Sequence, residues 1–288
     1  MQRTKVQRQQ LIVTLYGLYG EFWGGSLPVS TLVSMLGRLG VEGPAARSTI
    51  SRLKSKSVLL SDTSSGSTRY MLSEDALGIF RADDKRIFAP ERSTPDDPWA
   101  VVIFSVPEAE RARRYELRTE LISLGFGFVA AGVAIAPSTV LPQAIARLEQ
   151  RSLGHYVEYF SGQYLKAGDI RARVAEWWDL ELLERQYSEF LADYSGLATS
   201  CRRGSLKMGP EEAFGSYIQM LTRWREFPYR DPNLPLEYLP DDWKAPAAKK
   251  VFLTLHESLA QLSEAFVREL LVGNRRSEPA SALSSTDR

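Results

Sequence analysis

The sequence predicts an α+β protein with an N-terminal winged helix-turn-helix, a central ferredoxin-like βαββαβ domain and a C-terminal helical domain. Three observations lead there. The net charge of +1 conceals an asymmetry: residues 1–72 carry nine Lys/Arg against three Asp/Glu, and the remaining residues carry 27 against 32. A basic first quarter on a mildly acidic body is the footprint of a nucleic-acid module joined to something else. Residues Gly43 to Lys56 combine a thin apolar stripe with a face of Arg, Lys, Ser and Thr that no acid interrupts. Between Trp99 and Phe160, short apolar runs and longer amphipathic segments follow one another in the order βαββαβ.

The first module is read element by element. Gln9 to Phe22 has helical spacing, with Leu11, Leu15, Leu18 and Phe22 on one face and Gly24-Gly25 to end it. A second helix, roughly Pro28 to Leu39, turns Val29, Leu32, Leu36 and Leu39 inward, and Gly40 is placed to stop it with a left-handed cap. Pro44 suits the first turn of a third helix, where its fixed φ helps and its missing N–H costs nothing. Ala46, Ile50 and Leu53 form its apolar back. Its front carries Arg47, Ser48, Ser51, Arg52 and Lys54, with Thr49 and Lys56 completing the polar set. Arginine can read guanine edges bidentately in a major groove, while lysine and hydroxyls hold phosphates. An ordinary solvated helix face is the alternative for this stretch alone. Val58-Leu59-Leu60 and Arg69-Tyr70-Met71-Leu72 then read as a β-hairpin with a polar tip and Arg69 at its base. Ser73 can cap a further helix that carries Leu77, Phe80 and Ile87.

The expected layout is 1–89 for this DNA-binding module with its following helix, and 90–98 for a proline-rich linker. The ferredoxin-like domain takes 99–165, the helical domain 166–273 and a disordered tail 274–288. In the middle domain His155 opens the last strand, and Gly125-Phe126-Gly127 fits a helix-to-strand turn. Beyond it, Trp177, Trp178, Leu182, Tyr187 and Leu191 mark one helix, and Phe214, Ile218, Leu221 and Trp224 another. A proline-rich loop covers Phe227 to Pro246, and a final helix runs from about Ala247 to Leu271.

Several chemistries are not supported. A lone Cys201 rules out an internal disulfide and a multi-cysteine metal site, and beside Arg202 and Arg203 it reads as a bystander. His155 and His256 read as structural residues, so no metal site and no cofactor are expected. No phosphate loop, dinucleotide fingerprint or G-x-S-x-G elbow is present. No apolar run approaches a membrane span and the polar start does not resemble a signal peptide, so a cytoplasmic protein without a membrane partner is expected.

The chain also resembles the PaaX family of bacterial transcriptional repressors, named for the regulator of phenylacetic acid degradation. The resemblance rests on the N-terminal winged helix, on Trp99 to Phe104 with Ser105-Val106-Pro107-Glu108 and Leu124-Gly125-Phe126, and above all on a C-terminal run. That run is Trp224-Arg225-Glu226-Phe227-Pro228-Tyr229-Arg230-Asp231-Pro232-Asn233-Leu234-Pro235, with Leu239-Pro240-Asp241-Asp242-Trp243 after it. It implies a homodimeric repressor of an aromatic-degradation operon, bound to double-stranded operator DNA and released by a small effector such as phenylacetyl-CoA or a related thioester. The middle segment resembles the Cas2 nuclease fold, but Phe104-Ser105-Val106-Pro107 lacks that group's metal-binding Asp, which argues for a scaffold rather than an enzyme. A metal-dependent nuclease and a winged helix used for protein–protein contact remain the alternatives. A thioester's phosphates, adenine and acyl group call for cations beside aromatics. Trp177, Trp178, Tyr217, Arg223, Trp224, Arg225, Tyr229 and Arg230 are the candidate effector residues, with helical core and solvated rim as their other reading.

Overall fold

The computed structural model describes residues 2–62, 68–88, 92–165 and 168–277, with backbone alone at 2–6, 79–85, 229 and 273–277. The described elements run α1 (Gln2–Tyr19), β1 (Ser26–Pro28), α2 (Val29–Arg38), α3 (Gly43–Ser55), β2 (Leu59–Asp62), β3 (Arg69–Leu72) and α4 (Glu74–Phe88). There follow β4 (Trp99–Phe104), α5 (Arg111–Ser123), β5 (Gly127–Ala130), β6 (Val133–Pro137), α6 (Leu141–Gln150) and β7 (Val157–Gly162). The remainder is α7 (Ile170–Trp177), α8 (Leu180–Arg202), α9 (Pro210–Trp224), α10 (Phe227–Arg230) and α11 (Ala245–Ser277). No helix among the described residues is long and apolar enough to cross a membrane. Backbone packing separates two units. One comprises Met1–Asp84, Tyr194–Thr222 and Val251–Arg288, the other Lys85–Asp193 and Arg223–Lys250.

In the first unit, α1 buries Leu11, Ile12, Leu15, Tyr16 and Tyr19 and packs on α3, which buries Ala46, Ile50 and Leu53; α2, with Leu32, Met35 and Leu36 buried, packs on α3 as well. Leu18 and Phe22 of the expected stripe are only half-buried, and Phe22 lies in a 3-10 turn over Gly20–Trp23 that follows the α-helix. The stop after α2 is as expected. Gly40 has φ +77°; Val41 N donates to Leu36 O at 2.9 Å and Gly40 N to Gly37 O at 3.0 Å. Those two bonds satisfy the last carbonyls of the helix, and only a residue at ease with positive φ makes them without strain. The hairpin strands β2 and β3 are joined by β1, a strand that sequence patterning does not reveal, in the antiparallel order β1-β3-β2. Three residues are too few to show alternation, and Pro28 is tolerated there because β1 lies at the sheet edge. Of the expected hairpin tip, Ser61 to Thr68, Ser61 and Asp62 belong to β2, and residues 63–67 lie outside the described residues. Ser73 Oγ accepts from Ala76 N at 3.3 Å and so caps α4 as expected. The C-terminal helices close this core: Tyr19 Oη and Ser263 Oγ are 2.6 Å apart, and the Phe214 and Phe266 rings lie 5.0 Å apart.

The second unit holds a four-stranded antiparallel sheet in the order β5-β6-β4-β7. The βαββαβ order read in the sequence is therefore present. Alternation along β4 sends Ala100, Val102 and Phe104 to one face, where Leu117, Leu121, Ala144 and Leu148 of α5 and α6 cover them. His155 lies in a 3-10 turn over Gly154–Tyr156, one step before β7. The single helix expected across Trp177 to Leu191 is instead broken. Trp178 is extended at φ −122°, ψ 146°, and α8 buries Leu183, Tyr187 and Phe190 in place of Leu182 and Leu191. The expected stripe of α9, Phe214, Ile218, Leu221 and Trp224, is buried throughout. Gly273 does not end the last helix, which continues through Ser277; residues 278–288 lie outside the described residues. Within the expected linker, Ser93 is buried and its N–H donates to Asn233 O at 2.8 Å.

Candidate nucleic-acid interface

The third helix begins with Pro44 in its first turn and has its apolar back, Ala46, Ile50 and Leu53, sunk in the first unit's core. That anchoring leaves Arg47, Ser48, Ser51, Lys54 and Lys56 exposed and Arg52 half-buried. Arg52 Nη2 donates to Ser48 Oγ at 3.2 Å, one turn back, so the two present a joined polar edge. Lys54 Nζ sits 5.7 Å from the ring centroid of Tyr70 on β3, which ties the helix's polar face to the hairpin. Two members of the expected set are placed differently. Thr49 is buried, and its hydroxyl donates back to Ala45 O at 2.8 Å. It is one of the inward residues of the helix and is not on the free face. Arg69 is half-buried: its Nε donates to Ser26 Oγ at 2.9 Å and its Nη2 to Ser26 O at 2.6 Å. Beside it, Tyr16 Oη donates to Tyr70 O at 2.8 Å, and burial pushes that phenol's pKa well up, with Arg69 pulling slightly the other way.

The candidate effector residues are not gathered in one place. Tyr217 belongs to the first unit, where it is buried and its Oη lies 2.8 Å from His256 Nδ1. Trp177 and Trp178 are buried around Trp99 of β4, at ring-centroid distances of 6.1 and 6.3 Å. Trp178 Nε1 donates to Gly125 O at 3.0 Å. A Cβ at Gly127 would meet the Trp178 ring at 2.7 Å, so glycine is what lets the indole lie on β5. Arg223 pairs with Asp193 and, at 3.4 Å, with Glu189; Arg230 lies 3.8 Å from Glu226. Arg225 is half-buried, and the Tyr229 side chain lies outside the described residues.

Trp224, of that set, lines a cavity of about 200 Å³ in the second unit. Its indole is fixed by Nε1 donating to Ile87 O at 2.9 Å. Tyr187 from α8, Phe227 and Pro228 from α10, and Ala245 and Pro246 from the start of α11 add apolar wall. The polar end is Asp231, 3% exposed, which accepts from Tyr187 Oη at 2.9 Å, from Arg92 Nη2 at 3.3 Å and from the Asn233 N–H at 2.7 Å. Burial first, and then the Asp231 charge, pushes the Tyr187 phenol far above its ordinary pKa. Arg92, Asp231 and Lys249 are cavity residues that the sequence reading passed over. They come from a presumed linker, a loop and a helix start, and no local spacing couples positions so far apart.

Three family models match this chain in succession. Residues 7–76 match a PaaX-like protein, residues 92–174 the PaaX protein central Cas2-like domain, and residues 178–269 the PaaX-like protein C-terminal domain. The chain belongs to the PaaX family. It is 26% identical over 267 residues to the transcriptional repressor PaaX of Escherichia coli K12, covering 92% of this chain and 84% of that protein. Among solved structures it is similar to an uncharacterized protein from Mycobacterium tuberculosis. That match has 19% identity and a TM-score of 0.53, and covers 88% of this chain and 96% of that one. At that identity the likeness speaks for the fold alone. The α3 face falls within the first PaaX match, and the cavity draws mainly on the C-terminal match, with Arg92 opening the central one. Where Cas2 nucleases carry an acid at the end of the first strand, this PaaX member has Phe104 and Ser105. Among the described residues no group of three His, Cys, Asp or Glu side chains converges as a metal site would require.

Proposed function

We propose that this PaaX member is a sequence-specific DNA-binding transcriptional repressor of an aromatic-compound degradation operon of the phenylacetate type, acting in the cytoplasm. In this reading α2, the turn at Gly40 and α3 form the helix-turn-helix, and the β2–β3 hairpin is its wing. The observation that carries it is the free face of α3. Arg47, Ser48, Ser51, Arg52 and Lys54 stand on a helix whose other side is anchored in a core, and no acid lies among them. Arg47 and Arg52, with Ser48 and Ser51, face base edges, while Lys54 and Lys56 hold phosphates. Likeness to a protein called a transcriptional repressor supports the direction of the effect.

A single small DNA-binding module buries little surface and reads a short site, so two copies related by a two-fold axis are needed to read half-sites about one or more turns apart. The active species is thus a homodimer. Release follows when a small effector, an aromatic acyl-CoA thioester such as phenylacetyl-CoA, binds the DNA-incompetent state more tightly than the competent one. The reading involves no catalytic step and no cofactor. A band-shift assay on the DNA upstream of the protein's own gene tests it. A retarded complex of two protomers per operator is expected, and phenylacetyl-CoA is expected to disperse it. Equal retention of operator and unrelated DNA would contradict the reading, as would cleavage of the probe in magnesium.

A further inference from the structure

Three cations stand in the connection between α8 and α9, and the DNA contacts proposed for α3 leave them unused. Arg202 and Arg203 lie where α8 ends, and Lys207 lies in the loop that leads to Pro210, the first residue of α9. All three side chains are exposed. From Tyr194 to Pro210 the sequence holds no acid, and among the described residues no carboxylate comes within ion-pair distance of any of the three. Arg202 has a neutral partner, its Nη2 donating to Thr199 Oγ1 at 3.0 Å. The helix dipole favours cations at the end of α8, which accounts for Arg202 and Arg203. It does not account for Lys207, which lies beyond the stop that Gly204 makes at φ +63°.

The loop is held close to the turn between α2 and α3. Residues Tyr194–Thr222 belong to the same compact unit as those helices. Glu211, the second residue of α9, pairs with Arg38, the last residue of α2. One turn further along α9, a Cβ at Gly215 would come 3.9 Å from Arg38 O. The first turns of α9 therefore rest on the end of α2, just before Gly40 turns the chain and Gly43 opens α3. From Glu211 the chain runs back four residues to Lys207 and eight to Arg203, spans of at most about 14 and 29 Å.

We propose that this loop is a second DNA-contacting element, in which Arg202, Arg203 and Lys207 hold backbone phosphates beside the groove that α3 reads. A major groove is about 12 Å wide, so phosphates bordering it lie within the loop's reach when α3 occupies it. The loop's contribution carries no sequence information. Its guanidinium and ammonium groups displace counterions and add affinity to every duplex alike, while base reading stays with α3. The inference rests on the DNA-binding reading above. It extends the footprint from the N-terminal module to a segment inside the C-terminal family match, residues 178–269.

The test is the salt dependence of duplex binding by the full-length protein, read by fluorescence anisotropy on the operator and on an unrelated duplex. Wild type is compared with Arg203→Gln, Lys207→Gln and, as a control for net charge, Arg185→Gln. Arg185 is exposed on α8 in the second unit. All three changes are on the surface, so the wild-type melting temperature is expected throughout. Each loop variant is expected to flatten the slope of log affinity against log salt by about 0.9, equally on both duplexes. Arg185→Gln is expected to leave the slope as it is. An unaltered slope in both folded loop variants overturns the site, as does an equal change in Arg185→Gln. A second measurement gives position. Ser205 is exposed in the loop, and Ser205→Cys in a Cys201→Ser background carries an iron chelate that cleaves DNA. Cuts beside the base pairs whose substitution Arg47→Ala or Arg52→Ala tolerates are expected; no cut within the protein's footprint overturns the site. Equal binding of the two duplexes by wild type contradicts the repressor reading, yet the slope still reports on the loop, so the two failures appear in different measurements. Binding of neither duplex overturns both.

Discussion

Arg69 of β3 grips Ser26 of β1 twice, Nε on Oγ at 2.9 Å and Nη2 on the carbonyl oxygen at 2.6 Å. These bonds hold the short edge strand on the hairpin in a register that pairs Pro28 with Arg69. An arginine at the base of a hairpin beside a basic helix invites a phosphate-binding role, but these two bonds hold its side chain within the sheet. Replacing Arg69 by alanine removes two charge-assisted bonds at a half-buried site and is expected to cost about 1–3 kcal/mol of stability. Equilibrium urea denaturation checks the value. The salt dependence of operator binding is expected to be unchanged in the fraction that remains folded.

Thr49 and Lys54 are five residues apart on α3 but have opposite surroundings. Thr49 is buried with its hydroxyl on Ala45 O, while Lys54 is exposed beside Tyr70. Thr49→Val is therefore expected to leave operator affinity as it is. Lys54→Ala should weaken every DNA sequence alike and reduce the slope of log affinity against log salt by about 1. Titrations by fluorescence anisotropy at several salt concentrations separate the two outcomes.

His256 accounts for a predicted acid sensitivity of the first unit. Burial lowers its pKa below the ordinary 6.5, outweighing Glu257, whose charge raises it, and its Nδ1 lies 2.8 Å from Tyr217 Oη. With the folded pKa depressed, the unfolded chain takes up a proton first as pH falls. The stability is thus complete above 6.5 and is lost below it. Thermal melts at pH 7.5 and 5.5 are expected to show a drop in wild type that His256→Gln reduces. An identical drop in the variant assigns the acid sensitivity to other groups.

Much of this was legible before the structure. Helix boundaries with a physical stop signal, such as Gly40 after α2 and Ser73 before α4, were readable because a left-handed glycine and a capping hydroxyl are local chemistry. The βαββαβ order was readable because buried strands such as Trp99–Phe104 are continuous apolar runs. What failed depends on partners distant in sequence. Strand β1 exists because β3 pairs with it, and three residues carry no period. Thr49 looks like one more hydroxyl in a polar stretch until the rotation of α3 places it inward. The break at Trp178 follows from its indole docking over Gly127, a contact no helical pattern encodes. The cavity is the extreme case: Arg92, Tyr187 and Asp231 meet around one carboxylate from three separated segments.

The assignment of α3 as the element that reads DNA is tested most directly by the operator affinities of Arg47→Ala and Arg52→Ala against wild type, at fixed salt, on the operator and on singly substituted operators. Arg47 is exposed on the free face and Arg52 is joined to Ser48 beside it. Each loss of a bidentate base contact is expected to cost about 1–3 kcal/mol and to relax discrimination at one base pair. If both variants bind the operator as tightly as wild type and with unaltered sequence preference, α3 is not the reading element.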